Sequence, residues 1–96
     1  MDVGEIFLNA IPNQTFQLII GQNNFQLTIK TLRENTYMSI TINEQKISEN
    51  IRCFSNDIVY PYNYDIPTVF CWLCQDMKDP HYTEFGTLHK LLYISE

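Results

Sequence analysis

The stretch Phe16-Gln17-Leu18-Ile19-Ile20-Gly21-Gln22-Asn23-Asn24-Phe25-Gln26-Leu27-Thr28-Ile29-Lys30 decides the fold. Phe16, Leu18 and Ile20 recur at every second position, as do Phe25, Leu27 and Ile29. A period of two sets these side chains on one face of an extended chain and Gln17, Gln26 and Thr28 on the other. Gly21 to Asn24 between them is turn chemistry, because Gly and Asn tolerate positive φ. Met38, Ile40 and Ile42 resume the alternation after Arg33-Glu34-Asn35, and Asn43-Glu44-Gln45 closes that run. Short links between consecutive strands make antiparallel hairpins. Residues 15–50 therefore read as a β-meander, with Lys46 to Ile51 as a shorter fourth strand.

Outward from the meander the pattern stays extended. Before it, Ile6, Phe7 and Leu8 suit a short strand or arm, so residues 1–10 read as an N-terminal arm and 11–96 as a single β domain. After it, residues 52–67 are irregular, because Ser55-Asn56-Asp57 signals a turn and Pro61 and Pro67 remove backbone donors. That stretch reads as a long loop or an edge segment. Thr68 to Cys74 is an unbroken run of bulky residues whose β-branched and aromatic content favours a buried strand. Gln75 to Gly86 reads as a polar loop and Leu88 to Ile94 as the last strand. No stretch of ten or more residues has a helical period. The expectation is an all-β fold, a small antiparallel β-barrel or sandwich of about six or seven short strands.

Composition narrows the function. The chain has 96 residues, 6 Lys and Arg against 11 Asp and Glu, and a net charge of −5. A phosphate-backbone binder needs a basic footprint, which this balance lacks, so no sequence-specific nucleic acid is expected. No segment approaches the roughly 20 apolar residues of a membrane helix, so no membrane contact is expected. Met1-Asp2-Val3-Gly4-Glu5 lacks the basic start of a secretory signal, and synthesis in the cytoplasm with reduced thiols is the expectation. Gln17, Gln26, Thr28, Thr31, Ser39 and Thr41 fall on the outward sides of the strands as neutral hydrogen-bonding groups, which suit burial against other subunits.

Candidate chemistry is sparse. Cys71-Trp72-Leu73-Cys74 has C-x-x-C spacing, the minor alternative of a redox or metal protein. On a strand, however, residues three apart point to opposite faces, so the two sulfurs would not share a metal or a disulfide. Zinc would need a second ligand pair, and His81 and His89 are eight residues apart, with Cys53 the remaining thiol. No metal and no cofactor is expected. Asp76, Asp79 and Glu84 share a loop but read as a solvated turn, and no nucleophile elbow or phosphate-binding glycine loop is present, so no enzyme is expected. Tyr60, Tyr62 and Tyr64 share one face of an extended segment. They suit a protein interface, the alternative being a small barrel that stacks single-stranded nucleic acid.

Three pieces of the chain carry a resemblance. Ile11-Pro12-Asn13-Gln14-Thr15-Phe16 matches an opening I-P-x-Q-x-F strand, Arg52-Cys53 a basic-cysteine step after the hairpins, and Asp79-Pro80-His81-Tyr82 with Gly86 and Leu91-Leu92-Tyr93 a D-P-x-Y, G and L-x-Y ending. In that order they resemble the small baseplate plug proteins of contractile-tailed bacteriophages, as in cyanophage baseplates. The resemblance covers about residues 11–94, and Cys71 to Cys74 is a bulky, cysteine-bearing departure from it. It implies a structural virion component near the tail axis, against hub, spike and tail tube proteins, in a symmetric homo-oligomer. Asp79, Pro80, Tyr82 and Gly86 would then be turn architecture that orients the last hairpin. The acidic balance would repel DNA phosphates from a tail channel.

Overall fold

A computed structural model describes residues 2–61 and 66–95. Eight strands run through them: β1 Asp2–Ile6, β2 Gln14–Ile20, β3 Asn23–Leu32, β4 Asn35–Ile42, β5 Gln45–Arg52, β6 Ile58–Val59, β7 Thr68–Cys74 and β8 His89–Ser95, with a 3-10 turn at Tyr82–Glu84 before the last. They make two four-stranded sheets, ordered β2-β3-β4-β5 and β1-β8-β7-β6. All the pairs are antiparallel. The result is a sandwich and not a closed barrel, with eight strands where about six or seven were expected. The additions are β1, where residues 2–6 of the expected arm lie along β8, and the edge strand β6.

The first sheet is the meander, and its hairpins explain its register. Ile20 faces Asn23, Leu32 faces Asn35 and Ile42 faces Gln45, so each hairpin closes over two residues. In the last two, both loop residues sit at positive φ: Arg33 at 49° and Glu34 at 67°, Asn43 at 51° and Glu44 at 70°. That is the twist-matched two-residue turn of antiparallel strands. Arg33 and Glu34 are poor residues for it, so the flanking ladder holds them there. The register of β5 against β4 shifts twice, between Met38 and Ile40 and again between Ile40 and Thr41. Asn50 takes φ 53° and its N–H donates to Ser39 Oγ at 3.0 Å.

Alternation then builds the core. Phe25, Leu27 and Ile29 of β3 and Met38, Ile40 and Ile42 of β4 point inward and are fully buried. Phe70 and Trp72 of β7 and Leu91 of β8 meet them from the second sheet. Phe25 and Phe70 join the sheets edge to face, with ring centroids 5.7 Å apart. Trp72 stacks on Phe85 at 5.5 Å. The polar loop expected over residues 75–86 is thus partly core, since Pro80 and Phe85 are buried. At the edge, Gly4 lies opposite Tyr93 in the ladder, and any Cβ there would run into the Tyr93 ring. The ring takes the space that glycine leaves and pins β1 to β8.

Candidate protein interface

Each sheet turns one face to the core and one outward, and the two outward faces differ. On the meander sheet, Thr15, Thr28 and Ser39 form one cross-strand row and Gln17, Gln26 and Thr41 the next. Thr15 Oγ1 and Thr28 Oγ1 are 3.1 Å apart, and Gln17 Nε2 donates to Gln26 Oε1 at 3.4 Å. Such neutral groups, already partnered, can be buried at small cost compared with charges. Thr31 does not belong to this face. It pairs with the buried Thr36 and donates through Oγ1 to the Pro12 carbonyl at 2.9 Å, because alternation from Thr28 carries Lys30 outward instead.

The other outward face is apolar. Val69, Cys71 and Leu73 of β7 lie beside Ile94, Leu92 and Lys90 of β8, with Val3 and Glu5 of β1 and Ile58 of β6 on the flanks. Val3, Ile58 and Leu73 are exposed, and Val69, Cys71, Leu92 and Ile94 are half-buried. Nothing in the alternation of the meander indicated this second face.

The residues singled out from the sequence fall elsewhere. Tyr60 is 64% exposed and borders a cavity of about 410 Å³ that is also lined by Ile47, Ser48, Glu49 and Ile51. That lining carries an acid and no base among the described residues, and Lys46 nearby is held by Glu49 at 2.8 Å. Tyr62 and Tyr64 lie outside the described residues. Cys71 points outward and Cys74 inward, and all three thiols are free. Burial raises the titration range of each, Cys53 most strongly, up to about 12. Thiols so held are weak nucleophiles at neutral pH. Among the described residues no three His, Cys, Asp or Glu side chains gather where a metal could bind.

Asp79, Pro80, Tyr82 and Gly86 sit where the two sheets are tied together at one end. Asp79 Oδ1 accepts from the Ser55 N–H at 3.0 Å. This is a long-range bond and not the local turn contact expected of it. The local role belongs to Asp76, whose Oδ1 accepts from the Lys78 N–H at 3.1 Å. The Pro80 carbonyl accepts from Thr36 Oγ1 of the opposite sheet at 2.6 Å. Tyr82 packs against the core and stacks on His81 at 4.6 Å. Gly86 takes φ 85°, and its N–H donates to the His89 carbonyl at 3.0 Å.

His89, weighed from the sequence only as a zinc ligand, has a structural role that sequence reasoning missed. It is 2% exposed, and both ring nitrogens are bonded. Nδ1 accepts from the His81 N–H at 3.0 Å, which assigns the proton to Nε2, 2.9 Å from Asp76 Oδ1. His81 Nε2 in turn lies 2.7 Å from Glu34 Oε2 on the β3–β4 turn. The chain Asp76–His89–His81–Glu34 thus clips the loop to both sheets. It leaves no ring nitrogen of His89 to activate Cys74, its cross-strand neighbour. The one available signal was parity, since His89 shares the inward side of β8 with Leu91. The bond from His89, with the Lys78 N–H second, holds the Asp76 carboxyl below its usual range. Its contribution is present above the ordinary carboxylate range and is lost as pH falls through the lowered value. We expect His89→Ala to cost about 2–4 kcal/mol in urea unfolding, through the cavity and the stranded His81 N–H. A loss within error of zero would mean that the clip is ornamental.

A family model described as cyanophage baseplate Pam3 plug gp18 matches residues 3–96. The chain belongs to the cyanophage baseplate plug family. No curated protein matches it. Membership makes this plug-family chain a structural protein of the phage baseplate, located in the virion tail and associated with other tail and baseplate proteins. The sandwich offers such associations two broad outward faces, one with neutral hydrogen-bonding rows flanked by Lys30, Lys46 and Arg52, and one apolar.

Proposed function

We propose that the chain is a plug or hub-associated subunit near the axis of a contractile tail baseplate. It acts through protein–protein contacts with hub, spike and tail tube proteins and is present in several symmetric copies. It is made in the host bacterial cytoplasm and carried in the virion. The observation that supports this reading most is the weakly charged, largely apolar outward face of the β1-β8-β7-β6 sheet on a member of the plug family. A freely diffusing domain normally covers its faces with mixed charge. Tyr60, together with Tyr62 and Tyr64 outside the described residues, adds a rim contact. Asp79, Pro80, Tyr82 and Gly86 keep the sheets in register and do not touch a partner. The net charge of −5 gives the axial surface a repulsion toward phosphate that lets DNA pass.

Reconstruction of the intact particle tests this directly. We expect density for the sandwich on the tail axis beneath the tube, with acidic side chains toward the channel. Density confined to the periphery, or Lys30, Lys46, Lys78 and Lys90 lining the channel, would refute the axial reading.

A further inference from the structure

We propose that the apolar outer face of the β1-β8-β7-β6 sheet is a self-association surface that packs against the same face of a second copy of this chain. This deepens the baseplate reading and rests on it for its setting.

The starting point is β7. Thr68 to Cys74 is apolar on both sides, the signature of a strand covered on both faces. The sandwich covers only the side of Phe70 and Trp72, while Val69, Cys71 and Leu73 face outward. β8 repeats this with Leu92 and Ile94. A contiguous apolar sheet face of this kind marks an interaction site.

The charges on the face point to the occupant. Among the described residues, the outward positions of this sheet hold one acid, Glu5, and one base, Lys90. Asp57 stands at the rim near Cys71. Glu5 and Lys90 make no ion pair within the chain among the described residues. In the ladder, Glu5 is opposite Leu92 on the flanking strand, and Lys90 is opposite Leu73 one pleat away. With the midpoint between Leu92 and Cys71 as centre, a diagonal across the strands through it has Glu5 on one side and Lys90 on the other. A two-fold axis in the plane of the interface, running through that centre, brings Glu5 of each copy over Lys90 of the other. The same operation sets Val3 against Leu73. An isologous contact requires this self-complementarity, with each patch serving both copies. A foreign partner would need no matched acid and base on one face.

The area sets the strength. Strands about 4.8 Å apart and about seven residues long give on the order of 400 Å² per copy, half the roughly 800 Å² of a standard stable interface. Pairing is therefore weak and reversible in free solution.

Sedimentation equilibrium of the full chain over a range of concentrations is the test. We expect a reversible monomer–dimer equilibrium, with a dissociation constant that rises about tenfold in Glu5→Lys and in Lys90→Glu and returns near the wild-type value in the double variant. Leu92→Lys should abolish pairing while circular dichroism shows the fold intact, since Leu92 faces outward. A chain that stays monomeric to about 1 mM, pairing that survives Leu92→Lys, or a double variant no better than the singles overturns the proposal. A second arm mixes each variant with purified baseplate proteins. A wild-type chain that stays monomeric and still enters the baseplate overturns self-pairing and leaves the baseplate reading intact. A dimer that never enters it does the reverse.

Discussion

Trp72→Ala removes about 3–5 kcal/mol of stability, the largest loss expected of any single truncation in this chain. Trp72 is fully buried in the centre of β7, and its indole stacks on Phe85 at 5.5 Å. Truncation deletes that stack and opens a cavity between the sheets where Phe85 and Cys53 lose their neighbour. Small domains have about 5–15 kcal/mol in total, so the variant stands at the edge of unfolding. Among the described residues the indole Nε1–H has no hydrogen-bond partner of good geometry, and it lies beside the Cys53 thiol. The loss is therefore one of volume and contact. Trp72→Phe, which keeps an aromatic ring and drops the N–H, should cost less than half as much. Urea unfolding of the two variants measures this. Equal losses would show that the N–H, not the ring, holds the site.

The second large effect is alkaline. Cys53 is buried, and its thiol donates to the Ile51 carbonyl at 3.6 Å. Burial is the main cause that pushes its titration from 9.0 up to about 12. An acid held neutral by the fold contributes stability that is whole below its unfolded value and lost as pH rises through the folded one. The window here is pH 9 to about 12. Across it, linkage removes on the order of 4 kcal/mol, or about 1.4 kcal/mol per pH unit. Tyrosines and lysines titrate in the same range, so the comparison must be with Cys53→Ala. We expect the stability gap between wild type and this variant to shrink by about 2 kcal/mol between pH 8 and 10.5. A gap that stays constant would mean that Cys53 ionises in the folded protein as easily as in the unfolded chain.

The meander was legible because its information is local. In β3 and β4, Phe25, Leu27, Ile29, Met38, Ile40 and Ile42 announce one buried side, and two-residue turns leave only one register. β6 was not legible, because Ile58 and Val59 are too short a run to show a period and become a strand only beside β7. The bond from Asp79 to Ser55 spans 24 residues, so the residue type announced a turn while the fold used it as a tie. His89 carried no motif. Its burial depends on Asp76 arriving from the preceding turn and His81 from the loop.

By itself, the sequence determined that this chain is all-β, where its central hairpins turn, that Cys71 and Cys74 stand on opposite sides of a strand, and which family it resembles. Each of these is carried by neighbours in the chain, where a period of two and a turn residue act over a few ångströms. Only the tertiary structure decided that eight strands divide into two sheets and that Thr68 to Cys74 is covered on one side alone. An unbroken apolar run states that both sides of a strand avoid water. Which of them the chain covers depends on residues 20 or more positions away, since β7 packs its inner side on the meander and leaves Val69, Cys71 and Leu73 facing out.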